Sequence, residues 1–186
     1  MASPAFLLLG EAFWLDLANT APPPAARDLR PDALSHPGAV SEFLAAAGLP
    51  PLDTPNGTAA VLELRSELIH LGDALAAGER PPSGAITAIN GVLSRHSGRE
   101  QLVRVSGSWR LDFVPADVSG ALEAIARSAA ETLANPLAQV RRCIDPTCRR
   151  LLADTSPGHS RSWCRERCRT VAGIERRRGS RTVPTV

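Results

Sequence analysis

The four cysteines of this chain fall into two close pairs near its C-terminal end. Cys143 and Cys148 are separated by four residues, Cys164 and Cys168 by three, and fifteen residues lie between the pairs. A structural Zn²⁺ site takes four ligands in tetrahedral geometry, and each short cysteine pair can supply two thiolates. We therefore predict one structural zinc ion bound by all four cysteines.

Three other interpretations of the cysteines are open. The first is four unrelated thiols, free or redox-active, which would rarely fall into two such close pairs. Secreted proteins pair their cysteines in disulfides, but the apolar run at residues 6–9 has no basic residue before it, and Glu11 and Asp16 follow closely, unlike in a signal peptide. No apolar run reaches the length of a membrane span, and we expect a cytoplasmic protein. His159 could replace one cysteine, although four thiolates already complete a structural site.

Charge is divided unequally along the 186 residues. Residues 141–186 contain twelve arginines and four acidic residues, a net charge of +8, whereas the whole chain carries only +2 and residues 1–140 therefore carry −6. This change of sign indicates a boundary near residue 140 and a C-terminal part that favours polyanions. The length permits one domain and a small module, which we place at 1–140 and 141–186.

Residues 1–140 are predicted to be mostly helical with a small β-hairpin. Apolar spacing and end signals predict helices over 38–47, over 58–77 and from 82 to near 97, and a further helix that begins at Asp117 or Ser119 and leads directly into Cys143. Two β-prone runs, 102–105 and 109–114, flank a short glycine-containing loop, which predicts the hairpin. Residues 6–20 fit either a short strand or a helical turn.

The region around the cysteines is predicted to fold as a treble-clef-like zinc finger. Residues 151–153 favour a strand, 156–158 a turn and 161–163 a returning strand, after which Cys164 opens a helix. The predicted fold class is therefore α+β, with a mostly helical N-terminal domain, a small hairpin and this finger. A module of this size buries little apolar surface alone, so we expect metal removal to unfold residues 143–175 and to leave the N-terminal helices largely intact.

Arginines of the C-terminal module are candidates for contacts with nucleic-acid phosphates. Several would share a helix face, and others follow the helix. The candidates are Arg161, Arg165, Arg167, Arg169, Arg176, Arg177 and Arg178. The alternative is a solvated helix face followed by a basic tail.

Three polar residues, Asp16, Asn19 and Thr20, lie beside apolar neighbours shortly before three consecutive prolines. Capping and turn formation is the favoured interpretation, and a small-ligand pocket that contains these three residues is the alternative.

No Ser/His/Asp or Cys/His grouping and no glycine-rich phosphate loop is visible in the sequence. We therefore expect no enzymatic activity.

Two stretches resemble known families. The order Cys143, Cys148, Asp154-Thr155-Ser156, Arg161-Ser162-Trp163-Cys164 and Cys168 resembles the CGNR zinc finger. The hexapeptide Leu15-Asp16-Leu17-Ala18-Asn19-Thr20 is similar to the Leu-Asp-Phe-x-Asn-Thr signature of the ABATE domain, which accompanies that finger. The resemblance implies a bacterial, stress-responsive transcription regulator whose finger binds DNA and whose N-terminal domain senses a ligand or mediates assembly.

The chain differs from the finger family after the last cysteine, where Arg169, Thr170 and Val171 stand in place of Gly-Asn-Arg. The role of the family's Asn and Arg is not transferred to Thr170 or Val171, and substitution by Arg169 is left open. The leading interpretation is a zinc-containing DNA-binding regulator with a small-molecule effector as a further partner, and the alternative is a zinc-stabilised protein-interaction module that does not bind DNA. A homodimer would suit a regulator, because one small finger covers little DNA.

Overall fold

The structure, a computed structural model, describes residues 6–9, 11–23, 31–51, 54–95, 98–105, 108–115 and 118–170. Its elements in chain order are α1 (Phe13–Ala18), α2 (Ala39–Ala46), α3 (Pro55–Ala76), α4 (Ser83–Leu93), β1 (Gly98–Val105), β2 (Ser108–Pro115), α5 (Val118–Ala134), β3 (Gln139–Arg142) and β4 (Leu151–Asp154). Residues 166–170 are also helical. The fold is α+β, as predicted, with helices and two small antiparallel sheets in the described parts of the chain.

The longest helix, α3, has sequence signals at both ends. The Thr54 hydroxyl accepts a hydrogen bond from the Gly57 N–H at 3.2 Å, and Pro55 occupies the first helical position, where its missing N–H costs nothing. Gly78 follows the helix with a φ of 76°, in the left-handed conformation that ends many helices. The buried apolar residues of α3 include Val61, Leu64, Leu68 and Leu71.

The short helix α1 lies within the N-terminal core. Five of its six residues are buried, and it packs against α3, α5 and β4. Trp14 fixes α1 on α5, because its backbone N–H donates to the Ser128 hydroxyl at 3.0 Å and its indole N–H donates to the Thr132 hydroxyl at 2.9 Å. Of the two alternatives for residues 6–20, the structure contains the helical turn.

The predicted hairpin is present as β1 and β2, which pair antiparallel along their full length and pack on α5. Arg127 of α5 forms an ion pair with Glu100, and its guanidinium carbon lies 5.6 Å from the centre of the Phe113 ring. Beyond this contact the hairpin carries exposed apolar side chains. More than half of the surface is exposed at Leu102, Trp109 and Leu111.

The second sheet corrects two predictions. Helix α5 ends at Ala134 and does not continue into Cys143, because Pro136 cannot continue a helix and disfavours helical backbone at the residue before it. Residues 139–142 form β3 instead, and β4 pairs with β3, not with residues 161–163, which lie outside any strand. The finger's hairpin therefore runs from β3 through the first cysteine pair to β4.

The predicted helices over 38–47, 58–77 and from 82 to near 97 are confirmed as α2, α3 and α4, with ends shifted by a few residues. The domain boundary near residue 140 stays a prediction. Strand β3 packs against α3 and β4 packs against α1, so the two predicted parts of the chain are in direct contact. None of the described helices combines the length and the apolar character needed to cross a membrane.

Candidate metal centre

The four cysteine sulfurs converge on one buried point. All four Sγ atoms lie within 4.8 Å of one another, and the Sγ atom of Cys164 lies 3.4 Å from that of Cys148 and 3.6 Å from that of Cys168. Thiolates arranged tetrahedrally at the usual Zn–S distance of about 2.3 Å are separated by about 3.8 Å. The cluster therefore has the size of a zinc site, and each cysteine is at most 5% exposed, as expected of a closed one.

The first pair is carried on the tight turn between β3 and β4. The Cys143 N–H donates to the Arg150 carbonyl at 2.7 Å, and the Cys148 N–H donates to the Asp145 carbonyl at 3.0 Å. The Asp145 carboxylate in turn accepts hydrogen bonds from the Thr147 N–H at 2.9 Å and the Thr147 hydroxyl at 2.7 Å. These bonds fix the two cysteines at opposite ends of one turn.

The second pair lies at the start of the C-terminal helical turn. Cys164 precedes residues 166–170 and Cys168 lies within them, so the helix begins two residues later than predicted, within the usual variation of helix ends. The Cys168 N–H donates to the Arg165 carbonyl at 3.1 Å. The Arg161 guanidinium donates to the Cys164 carbonyl at 3.1 Å, which fixes the chain just before the helix.

Asp154 organises the loop that connects the two pairs. Its fully buried carboxylate accepts hydrogen bonds from the Ser156 hydroxyl at 2.6 Å, the Ser156 N–H at 3.0 Å and the Arg161 N–H at 2.9 Å. The Ser156 hydroxyl is the main reason why the pKa of the Asp154 carboxyl lies below its usual value. The Asp-Thr-Ser motif therefore shapes this loop around a buried carboxylate.

The sulfurs cannot all be ionised unless a cation lies among them. The pKa of Cys148 is lowered to about 4, mainly because the Cys164 thiol donates a hydrogen bond to its sulfur. The pKa of Cys164 is raised because it is that donor, because it is buried and because the Cys148 thiolate is adjacent. Burial is the main cause that raises the pKa of Cys168 to about 11.

A divalent metal ion resolves this conflict, because it deprotonates the thiols that coordinate it. Disulfides do not fit, since all four cysteines are free and their sulfur separations far exceed the roughly 2.05 Å of an S–S bond. Within the described part of the chain, His159 does not join the group of potential ligand atoms. The cluster is a structural zinc site whose ligands would be Cys143, Cys148, Cys164 and Cys168.

Asn19 joins the metal centre to the helical domain. Its side-chain amide donates to the Leu151 carbonyl at 2.9 Å, and its amide oxygen accepts from the Leu151 N–H at 2.8 Å. One side chain thus satisfies both backbone groups of a strand residue, as a neighbouring strand would. The Glu11 carboxylate makes a second contact with β4, because it accepts a hydrogen bond from the Ala153 N–H at 2.9 Å. It also forms an ion pair with Arg161.

Packing and a further ion pair strengthen this attachment. Leu151 belongs to the core of the helical domain and lies so close to Gly72 of α3 that a methyl group at Gly72 would collide with it. Arg142 of β3 forms an ion pair with Asp73 of α3. The roles of Glu11 and Gly72 were not predicted from the sequence, although a glycine inside an otherwise regular helix is itself a signal of close packing.

The three candidate ligand-binding residues have hydrogen-bond partners within the protein. Besides Asn19, the Asp16 carboxylate accepts from the Leu9 N–H at 2.6 Å, and Leu9 packs on the cysteine cluster. The Thr20 hydroxyl donates to the Leu17 carbonyl at 2.6 Å. The three residues line one cavity of about 100 Å³, smaller than the roughly 300 Å³ of a typical ligand pocket. Ligand binding by these residues stays a prediction.

The candidate nucleic-acid arginines differ in their surroundings. Arg161, Arg165 and Arg169 line an open groove of about 450 Å³ on the finger, which we call the finger groove. Arg167 is exposed on the same helical turn. The Arg161 guanidinium has several partners within the protein, namely Glu11 and two backbone carbonyls. The remaining candidates, Arg176, Arg177 and Arg178, lie outside the described residues.

Comparisons with known families agree with this architecture. Residues 11–136 match the ABATE family, whose description is "Putative stress-induced transcription regulator", and residues 139–180 match the CGNR zinc finger. A search of curated proteins found no significant match. With most of its length inside the first match and its four clustered cysteines inside the second, the chain belongs to the ABATE family and carries a CGNR zinc finger.

Proposed function

We propose that this protein is a bacterial, cytoplasmic transcription regulator that binds DNA through its zinc finger and has no enzymatic activity. The observation that carries the proposal is the finger groove, in which Arg161, Arg165 and Arg169 lie beside Trp163. A groove lined by guanidinium groups is the electrostatic footprint expected for contacts with the phosphate backbone. The family description, a stress-induced transcription regulator, supports the same function.

Arg165 contributes a half-buried guanidinium to the groove. Its side chain also interacts with the Cys168 sulfur, which ties its position to the metal centre. A phosphate oxygen is a suitable acceptor for its accessible donors, because guanidinium–phosphate hydrogen bonds are among the strongest in proteins. Ser160 and Ser162, which line the same groove, offer hydroxyls of the kind that also contact phosphates.

The metal centre positions these arginines. Arg165 and Arg167 lie between the second pair of cysteines, and Arg169 follows Cys168 directly. The Glu166 carboxylate lies only 3.7 Å from the Arg169 guanidinium, and this exposed pair is weak enough for a phosphate to replace it. In this proposal Arg161 fixes the loop beside the groove, and the N-terminal domain senses a small effector or forms a homodimer.

The test measures binding to duplex DNA as the salt concentration is varied, for the zinc-loaded wild type and for a variant with Arg165, Arg167 and Arg169 changed to Ala. Each phosphate contact contributes roughly 0.9 to the slope of log affinity against log salt. We expect weaker binding and a slope reduced by about 2–3 in the triple variant.

The matched control changes Arg80, Arg95 and Arg99 to Ala, three exposed arginines of the helical domain. It removes the same charge and is expected to leave the slope nearly unchanged. No binding of the wild type to DNA at low salt would contradict the proposal, and so would equal slopes for the two triple variants.

A protein-interaction module is the second candidate, and the hairpin is the observation that favours it. Leu102, Trp109 and Leu111 present exposed apolar surface of the kind that partner proteins cover. Failure of DNA binding, together with slower exchange of hairpin amides when a partner is present, would favour this function instead.

A further inference from the structure

A second cleft, of about 340 Å³, lies where the helical domain meets the finger, and we call it the junction cleft. Its walls come from α1 and the residues that follow it, from α3, and from β3 with the turn that leads into β4. Its size falls within the roughly 300–1,000 Å³ of ligand pockets. The junction cleft shares no lining residue with the finger groove, so it is a separate surface.

Charged side chains of the junction cleft do not balance. They are Arg65, Arg142, Arg149, Arg150, Asp32 and Asp73. Each aspartate is already paired, one with Arg65 and the other with Arg142. Arg150 donates towards the Cys148 sulfur at 3.7 Å, and among the described residues no carboxylate forms an ion pair with Arg149. Arg149 is therefore the guanidinium of this lining that pairs with no carboxylate or cysteine sulfur among the described residues.

Arg149 is half-buried, which makes its charge more consequential than that of a surface arginine. A guanidinium that loses water without gaining an acceptor is unfavourable, and an anion compensates it with charge-assisted hydrogen bonds. The rest of the lining includes apolar surface from Ile69, Pro22 and Leu151. This combination suits an anion with an apolar body better than a bare inorganic ion.

The backbone at Arg149 is held in an uncommon conformation. Its φ is 51°, in the left-handed region that residues with a side chain rarely adopt. The Arg142 guanidinium donates to the Arg149 carbonyl at 2.7 Å and so stabilises this conformation. The Arg149 N–H also donates to the Asp145 carbonyl at 3.0 Å, so this conformation closes the turn of the first cysteine pair and fixes the position of Arg149 beside the cleft.

We propose that the junction cleft binds a small organic anion, a carboxylate or a phosphate ester with an apolar body. Arg149, with Arg150 beside it, holds the charged group, and Ile69 and Leu151 contact the apolar body. The proposal deepens the effector-sensing part of the proposed function and moves the site from Asp16 and Thr20 to the junction. Its test needs no DNA, so its failure would leave DNA binding by the finger groove unaffected.

The experiment is titration calorimetry on the full-length, zinc-loaded protein with phenyl phosphate, benzoate and inorganic phosphate as probes. Benzamidine, a cation with the same ring, is the charge control. We expect at least one aromatic anion to bind, no binding of benzamidine, and affinity for inorganic phosphate roughly tenfold below that for phenyl phosphate, because it lacks the apolar body. Stronger binding of phenyl phosphate than of benzoate identifies a phosphate ester, and the reverse identifies a carboxylate.

The key variant is Arg149→Asn, because asparagine tolerates the left-handed backbone and removes the charge. We expect it to weaken binding of the aromatic anion by roughly tenfold or more. The matched control is Arg80→Asn, which removes the same charge from an exposed position outside the cleft and should leave the affinity unchanged. If Arg149→Asn does not retain zinc, Arg149→Lys replaces it and should weaken binding several-fold, since lysine lacks the guanidinium fork.

Three results would overturn the proposal. The first is absence of binding for both aromatic anions at millimolar concentrations. The second is an affinity that is the same in the wild type and in the folded Arg149 variant. The third is benzamidine binding as strong as that of the anions.

Discussion

Two buried clusters stabilise the part of the chain that the structure describes, and they differ in chemistry. The helical domain has a contiguous apolar core that extends from Phe6 to Leu151, whereas the buried cluster of the finger consists of Leu152 and the four cysteines, with Leu9 and Trp163 packed against it. The first is stabilised by apolar area removed from water, and the second depends on metal–thiolate bonds.

The two clusters meet at β4. Successive side chains of a strand point to opposite faces, and accordingly Leu151 lies in the domain core while Leu152 lies in the cysteine cluster. The interior of the finger therefore depends on the metal ion, and its outer face depends on contacts with the helical domain. Substitutions at the metal site and at the contact with the helical domain test these two dependences separately.

The largest effect is expected from Cys164→Ser. Structural zinc contributes about 10–16 kcal/mol to the folding of zinc-finger peptides, so the variant should lose its zinc ion and the hydrogen-exchange protection of residues 139–170. Because Leu151 is part of the domain core, the melting temperature of the helical domain should also fall. This outcome differs from the sequence-based expectation that those helices remain largely intact.

Metal content by mass spectrometry and exchange by residue would check this prediction. Ser160→Ala, an exposed change in the same loop, serves as the control and should keep both zinc and protection. A Cys164→Ser protein with full protection in residues 139–170 would show that the finger folds without its metal.

The next largest effect is expected from Asn19→Ala. This change leaves the N–H and the carbonyl of Leu151 without their partners, which should lower the free energy of unfolding by about 1–3 kcal/mol. It should also speed amide exchange at Leu151, while zinc remains bound. Asn90→Ala, at an exposed position of α4, should change the stability in urea very little. Equal stability of the two variants would mean that Asn19 does not attach the finger.

A smaller effect distinguishes two glycines in helices. Gly72→Ala should lower the free energy of unfolding by about 1–2 kcal/mol, because the collision with Leu151 outweighs the gain in helix propensity. Gly91→Ala, whose new methyl group meets nothing within 4 Å, should raise it by about 0.5–1 kcal/mol. In a Leu151→Ala background the penalty at Gly72 should disappear, since the truncated side chain leaves room. A penalty that persists there would place its cause elsewhere.

The smallest effect concerns Asp32, which pairs with Arg65 and lines the junction cleft. Burial opposes its ionisation, but hydrogen bonds from Arg65 and from the Leu34 N–H hold the pKa of the carboxyl below its ordinary value of 3.8. The stability that this carboxylate contributes is therefore present above pH 3.8 and is lost as the pH falls through the lower, folded-state value. The side chain is 38% exposed, so solvent screens part of the pair.

Urea unfolding of the wild type and Asp32→Asn would test this pH dependence. The difference between them should be constant from neutral pH to about pH 5 and should close below about pH 4. Zinc loss in acid affects both proteins alike, so the difference is the relevant quantity. Asn90→Ala, an exposed change that alters no charge, is the control, and its difference from the wild type should not depend on pH. A gap between wild type and Asp32→Asn that widens in acid would contradict the assignment.

Local signals in the sequence predicted the parts of the molecule that depend on near neighbours. The cysteine spacing predicted the metal site, and apolar periodicity predicted helices α2, α3 and α4 and the β1–β2 hairpin. The pairing of β3 with β4 was not predicted, because a four-residue strand that follows Pro136 has no periodic signal of its own. Asn19 was singled out, but its partner Leu151 lies 132 positions away, a distance that no local pattern spans.

The bond between Asn19 and Leu151 has a consequence for how such fingers can be exchanged between proteins. A finger excised at residue 139 would take Leu151 and the edge of β4 into water, and exposed strand edges and apolar side chains favour aggregation. The exchangeable unit is therefore larger than the sequence segment that carries the cysteines. A chimera should transfer Glu11, Asn19 and Gly72 together with the finger, because these residues of the helical domain contact Leu151 and Ala153 of β4.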